Sequence, residues 1–541
     1  MTPPNERTAD RDDAVERADV VVVGAGPVGL TAALLLTAAG ASVLVLERNP
    51  GTSDEPKAIS IDDEALRTYA QAGVGDRILS IIVPGTGTRY YGADGEPVMQ
   101  AGAAVPFRLG YPFKNPFAQP ELERLLLEAL LERPGARVEF GATVTGIVTD
   151  DEGARVEYSQ GGATHRAEAR FAIGADGGRS TVRQRLGIGM TGRAYDEPWL
   201  VIDALRDHHS ERYGMHHGDP SRPHVIVPGL QGRCRYEFLL HPGEGEPGAE
   251  PSLELMREVL APYRELEADD VERAVVYRFN GLIADRWRSG SAFLAGDAAH
   301  MMPPFAGQGL NSGVRDVANL CWKLIAVLRG RAPFATLDSY QAERYDHALA
   351  IIRLSERLGR VVMTTSTRLA EFRDRRIRAA VATEEGRDWF EKMRFRPIAR
   401  FVEGLVADVD DGDGARHELV GRQLGQPIAF DTAAGAMRRL DAATGHGWRL
   451  FAVDLVDEPW PDALVELAER AGAGRFEVPL REVFVDDPQA PALIDLDGRL
   501  ADEFGPLRGR YALVRPDHVI AAVWRPERTD DALTAVRAWF A

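Results

Sequence analysis

The chain has 541 residues, more than a single hydrophobic core accommodates, so two or three domains are expected. Hydrophobic residues make up 45% and charged residues 27%, the balance of a globular enzyme, while 82 acids against 64 bases give a formal net charge of -18 that argues against nucleic acid or an anionic membrane as a partner. The two cysteines, Cys234 and Cys321, form no CxxC pattern and support neither a disulfide framework nor a metal site, which fits a cytoplasmic location.

Residues 1–18 carry acids and arginines without the apolar run of a signal peptide, and a disordered leader is expected there. Val20 to Val23 then form a β-branched run into GAGPVG, followed by an apolar helical stretch stopped at Gly40 and a second strand, SVLVLE. Within this β-turn-α-β unit Gly24, Gly26 and Gly29 occupy the GxGxxG positions, with Ala25, Pro27 and Val28 between them. Gly24 permits the tight turn, Gly26 lets backbone approach a pyrophosphate, and Gly29 lets helix and strand pack closely. The helix N-terminus offers N–H groups to the phosphates. Glu47 ends the second strand, where a carboxylate accepts ribose hydroxyls, with Arg48 beside it; an acid there favours FAD or NAD over NADP.

Asp62, Asp63 and Glu64 sit at an expected helix start, where acids favour the dipole. FAIGADGGRSTVR, residues 171–183, reads as a strand, an Asp-Gly turn and the start of a basic helix. The stretch from about 190 to 285 is strand-rich. In GRCRYEFLLHPGE the residues Cys234, Tyr236, Phe238 and Leu240 alternate with Arg233, Arg235, Glu237 and Leu239, so one sheet face is apolar and aromatic. That face suits an aromatic substrate, making Tyr236 and Phe238 pocket candidates together with Tyr277. His208, His209, His216 and His217 match no recognised metal-ligand spacing, and no metal is expected. SAFLAGDAAH repeats the strand-to-turn logic with Asp297 at a strand end. After the Pro303-Pro304 step, Leu310, Val314, Val317, Leu320 and Leu324 predict a helix that begins at a glycine-rich turn. Beyond the acidic linker ADVDDGDGARHE, WRLFAVDL is an expected strand, PDALVELAERAG a helix, REVFVDD a strand, RYALVRPDHVIAAVW a hairpin and DDALTAVRAWF a closing helix.

In this order GAGPVG, GADGGRSTVR and LAGDAAH resemble the three signatures of the flavin-dependent aromatic hydroxylases, the group A monooxygenases. KAISIDDEALRTYAQAGV, FAQPELERLLLEAL, YQAERYDHALAIIRLS and FEKMRFRPIARF extend the likeness over nearly the whole chain, toward members that act on 3-hydroxyphenylpropionate-like acids. The resemblance implies an α/β (α+β) fold. A Rossmann-type FAD-binding domain would span 19–190 and 286–400, an interleaved β-sheet substrate domain 191–285 with some of 80–115, and a thioredoxin-like domain without cysteines 420–541.

The same resemblance implies that Asp297 holds the ribityl chain of FAD, that Asp176 organises the flavin and nicotinamide sites, and that Gln119 reaches the flavin. It implies that Gly307 and Gly309 bare the backbone against the isoalloxazine, with Pro304, Leu310 and Asn311 beside it and Pro304 and Phe305 toward the substrate. Two departures stand out: Lys57 replaces a usual arginine, keeping the charge but losing the fork, and the Pro304-Phe305 step differs from the common pattern. The implied activity is NADH- or NADPH-dependent hydroxylation of a phenol by O2, ortho to its hydroxyl, by an enzyme that could form a homodimer. A tailoring hydroxylase of polycyclic aromatic polyketides is the alternative, and a non-catalytic flavoprotein scaffold a remote one.

Overall fold

A computed structural model describes residues 15–54, 57–85, 87–102, 107–410, 414–455, 460–481 and 492–540. Most of the expected leader lies outside the described residues, but its boundary moves. The first strand, Glu16–Val23, begins before residue 19 because Glu16, Arg17 and Ala18 pair in register with Ala167, Glu168 and Ala169.

Val20 to Val23 are buried almost completely, as β-branched residues of a parallel strand covered on both faces should be. The sheet runs Ala136–Phe140, Val43–Glu47, Glu16–Val23, Ala163–Gly174, Ala292–Leu294 and Arg288–Ser289, parallel except for the last step. All three motifs therefore leave their strands at the same edge. Their tips are stitched together by backbone hydrogen bonds: Gly24 N–H to Leu46, Ala175 N–H to Val23 and Ala295 N–H to Gly174. Ligands of open α/β sheets bind at such a carboxyl edge.

The second sheet has eight strands in the order His300–Met301, Val271–Ala284, Met190–Ala204, Cys234–Leu239, His224–Pro228, Gly214–His217, Thr88–Tyr91 and Pro97–Ala101. The last two come from the 80–115 region. Tyr236 and Phe238 lie on the face covered by the helix Leu253–Leu260, in a core with Leu200, Ile202, Met256 and Val259. Both were expected to line a substrate pocket; here both are buried in this core. The aromatic face packs against this amphipathic helix, with the Tyr236 hydroxyl satisfied by Asp207 at 2.8 Å, so the alternate residues Arg235, Glu237 and Leu239 lie on the opposite face, where Arg235 reaches the Lys57 carbonyl.

The C-terminal region forms a four-stranded sheet ordered Gly474–Val478, Arg449–Val453, Arg510–Val514 and Ile520–Trp524, with helices Asp462–Ala471 and Thr529–Val536. The expected hairpin turns between Val514 and Ile520. The strand expected in REVFVDD lies, beyond Arg481, outside the described residues, whereas the short strand Gly474–Val478 was unanticipated: Phe476 and Val478 alternate with Arg475 and Glu477, but over only five residues directly after a helix. Both cysteines are buried in the preceding domains, where burial raises their thiol pKa values. No helix among the described residues is long and apolar enough to cross a membrane.

Candidate active site

The GAGPVG turn behaves as its glycines demand. Gly24 has φ +103, and a Cβ there would meet Ala175 O at 2.5 Å; one on Gly29 would meet Gly24 O at 2.0 Å. A Cβ on Gly26 would meet nothing within 4 Å, so this glycine borders open space at the start of the helix Pro27–Ala38. Val28 packs where the first and third motifs meet, its methyls against Gly296 and Gly313. Glu47 is held by the N–H groups of Ala25 at 2.8 Å and Asn49 at 2.9 Å, which orients the carboxylate and leaves further lone pairs for a ribose. Arg48 is exposed beside it.

Asp176 accepts the Ser180 hydroxyl and, at 3.0 Å, the Val182 N–H, so it also caps the helix Thr181–Arg185. Arg183 reaches the carbonyls of Ala298 at 3.0 Å and Gly178 at 2.8 Å, fastening the second motif to the third. The third motif is anchored by Asp316, an acid inside an apolar helix. It accepts Gly296 N–H at 3.0 Å, His300 Nε2 at 2.7 Å and Arg344 Nε at 3.0 Å, all fully or nearly fully buried. His300 therefore has a structural partner. Asp297 is left facing the cleft, and its carboxylate has no hydrogen-bond partner among the described residues. Enclosure by the surrounding protein raises its pKa, opposed by the charges of His300 and Lys57.

The glycine-rich turn ends with Gly307 at φ +60, where a non-glycine side chain is strained, and with Gly309, where a Cβ would again meet nothing within 4 Å. The helix Gly309–Leu328 begins here, with Leu310 packed on the core. Asn311 is more structural than anticipated: its amide donates to Ser60 O at 3.1 Å and Gly307 O at 2.9 Å and accepts Asp62 N–H at 3.0 Å. Toward a flavin it offers backbone rather than side chain. Gln119 is similarly committed, accepting Ala58 N–H at 2.6 Å and donating to Glu123 at 2.7 Å; it positions the Lys57-Ala58 segment with one N–H to spare.

Pro304 is half-buried, and Phe305 packs edge-on against Trp199 at 5.5 Å and Phe279 at 5.2 Å. Tyr277 joins this apolar cluster with Leu239, opposite the face covered by the helix Leu253–Leu260. Other groups there were missed from sequence. Lys114, at φ +60, hydrogen-bonds Thr88. Arg396 lies over the Phe113 ring at 4.3 Å and reaches Gln308 at 3.4 Å. Glu237 is nearly buried on the exposed-looking polar side of its strand. The acid between Tyr236 and Phe238 was the one signal the sequence carried; the left-handed backbone of Lys114 is visible only in the structure.

Among the histidines, His209 pairs with Asp207 at 2.6 Å, and Asp207, His209 and Cys234 bring donor atoms within 4.8 Å of one another. Asp207 is already committed to Tyr236 and Arg264, at 2.8 and 3.1 Å, and burial disfavours the Cys234 thiolate.

Open space at Gly26 and Gly309, each at a helix N-terminus, and the unpartnered Asp297 thus lie on neighbouring motifs joined through Val28, Gly296 and Gly313, an arrangement that fits a long dinucleotide carrying a flat ring. Residues 17–355 match the family described as FAD binding domain, and residues 421–539 match the HcaD C-terminal domain. The chain is 35% identical over 532 residues to the 3-(3-hydroxy-phenyl)propionate/3-hydroxycinnamic acid hydroxylase of Mycolicibacterium gilvum (strain PYR-GCK), covering 95% of this chain and 90% of that protein. Its fold is similar to that of the flavin-dependent monooxygenase PieE solved with FAD and substrate, with TM-score 0.78, 23% identity and coverage of 97% and 99% of the two chains. It is also similar to OxyS anhydrotetracycline hydroxylase from Streptomyces rimosus, with TM-score 0.73, 26% identity and coverage of 97% and 99%. The dinucleotide this cleft fits is FAD, and the chain belongs to the FAD-dependent aromatic hydroxylases.

Proposed function

We propose that the substrate is a single-ring phenol carrying an acid side chain, 3-(3-hydroxyphenyl)propionate or a close relative, hydroxylated beside its hydroxyl group with NADH or NADPH as electron donor. The observation that carries this reading is Lys114. It sits beside the second sheet, where its charge also acts on buried His216, and among the described residues it has no carboxylate partner. Burial, reinforced by the Arg396 charge, lowers its pKa to about 8. A desolvated cation held in left-handed backbone is costly unless a ligand compensates it, and a substrate carboxylate supplies the missing charge. The name of the relative from Mycolicibacterium gilvum points the same way.

FAD, when bound, would pass the electrons of the nicotinamide to O2, which is the source of the transferred oxygen atom. The chain's own residues bind and orient. In this reading Glu47 takes the adenosine ribose, with Arg48 at its rim. The Gly26 backbone and the helix starting at Pro27 take the pyrophosphate, and Asp297 the ribityl hydroxyls. Gly309, Leu310 and Asn311 present backbone N–H groups to the ring, where the helix dipole favours negative charge. Trp199, Tyr277, Phe279 and Phe305 exclude water from the reacting ring. A cytoplasmic location and pairing with a second copy of the chain complete the proposal.

A panel of phenols tests it. The acid-bearing phenol is expected to accelerate nicotinamide oxidation and to acquire one labelled oxygen atom from O2. Lys114→Met should raise KM for it about 10- to 100-fold, the loss of one charge-assisted hydrogen bond, with little change for a 3-alkylphenol. Turnover of large polycyclic phenols alone would favour the alternative suggested by the likeness to OxyS.

A further inference from the structure

Glu237 occupies the middle of the flavin-facing side of the second sheet. In register it lies beside Val201 on one neighbouring strand and Val225 on the other. Arg235 and Leu239, two residues to either side, share its face. Arg235 reaches the Lys57 carbonyl at 2.6 Å, and Leu239 packs with Phe305, so Glu237 is bracketed by two flavin-binding segments.

The Glu237 side chain is unusual in what it lacks. It is 5% exposed, yet among the described residues no donor gives its carboxylate a hydrogen bond. Its closest cation, Arg235, stands 3.8 Å away and directs Nε and Nη2 to Asp203 at 2.6 and 3.0 Å instead. Asp203 is thus satisfied where Glu237 is not. A buried carboxylate without a donor is costly, and one that faces a binding cleft is explained when the ligand brings the donor.

A phenol brings such a donor in its hydroxyl. We propose that Glu237 is a catalytic residue that accepts the hydrogen bond of the substrate hydroxyl and takes its proton. The phenol O–H bond breaks and a carboxyl O–H bond forms, while the electron pair stays on the ring oxygen and makes the ortho carbon more nucleophilic. The proton returns to that ring oxygen in the product, so Glu237 ends as it began. The groups facing it are Arg235 on its own strand, Asp203 on Met190–Ala204, and Arg273 and Tyr277 on Val271–Ala284. Burial raises its pKa, with Asp203 adding and Arg235 and Arg273 opposing, which brings the carboxylate closer in basicity to a phenolate.

The inference rests on a phenolic substrate, and its test compares two substrates in the FAD-loaded enzyme. One is the phenol the wild type turns over; the other is its nitro-substituted analogue, already ionised at the assay pH. Glu237→Gln should keep its FAD content and lose about 10²- to 10⁴-fold in kcat on the first phenol, the usual worth of a general base. On the ionised analogue the loss should stay below about threefold, and the acidic limb of the pH profile should vanish. Glu237→Asp should recover part of the rate. Equal losses on both substrates, or no loss, would overturn the assignment.

Should the glutamine variant lose FAD, the wild type still decides. A phenol bound near neutral pH should show the ultraviolet difference spectrum of a phenolate well below its solution pKa, and a spectrum that stays that of the neutral phenol would refute the idea. A wild type that oxidises no phenol fails at the substrate reading itself, before any variant is made, and takes this proposal with it.

Discussion

At the scale of single residues, the two glycines of the first turn separate fold from function. Gly24 faces backbone at 2.5 Å and has φ +103, so Gly24→Ala should destabilise the protein itself by about 1–3 kcal/mol. Gly26 faces open space, so Gly26→Val should leave the melting temperature of the FAD-free protein within a few degrees yet abolish FAD binding. Asp297 makes the complementary case. Asp297→Ala removes an unpaired carboxylate and should not weaken the fold, but it should lower FAD affinity about 10- to 100-fold, the value of a hydrogen bond to a charged group. Flavin content per protein after gel filtration reads both; wild-type content in the Asp297 variant would remove that residue from the site.

The strand Cys234–Leu239 shows what is decided at the scale of elements, since its two faces serve different ends. Phe238→Leu alters the core beneath the helix Leu253–Leu260 and should cost about 1–1.5 kcal/mol of stability with KM for the phenol unchanged. Tyr277→Ala on the opposite face should instead raise KM several-fold. If Phe238→Leu moved KM and Tyr277→Ala did not, the assignment of faces would be reversed.

The helices Gly309–Leu328 and Ser339–Val362 meet the C-terminal sheet through a buried network. Glu343 receives Lys323 at 2.7 Å and Arg515 at 2.6 Å, Asp517 receives Arg515 at 2.6 Å, and Arg67 pairs with Asp441 at 2.6 Å. Burial alone would raise the Glu343 carboxyl, but Arg515 and Lys323 outweigh it and hold the pKa at about 2. Its folded pKa lies below the unfolded value of about 4.3, so its contribution is present above that value and is lost as pH falls toward 2. Glu343→Gln should cost about 3–5 kcal/mol in urea unfolding at neutral pH, because two buried cations lose their partner, and much less at the acid end of that range.

At the scale of the whole molecule, this network makes the C-terminal region part of one structure rather than an appendage. Cutting near residue 420 would remove Asp441, Arg515 and Asp517 and strip Arg67, Asn319 and Glu343 of buried partners, while Trp322 would lose its edge-to-face contact with Trp448. The truncated chain is therefore expected to be poorly soluble or to melt well below the full protein; one that kept its melting temperature and FAD would show the interface to be dispensable. The sequence by itself determined the nucleotide turn, the three strand-to-turn motifs and the helix that starts at Gly309, because each is a local matter of glycine freedom and hydrophobic period. It also carried the buried strands and closing helices of the C-terminal sheet. Only the tertiary structure decided which face of Cys234–Leu239 is covered by a helix and which stays open to the first domain's segments. Alternation defines two faces but not their neighbours, and here the helix Leu253–Leu260 claims the aromatic face. The neighbours of the other face, Lys57, Asp203 and Phe305, arrive from distant parts of the chain and contact Arg235 and Leu239 there.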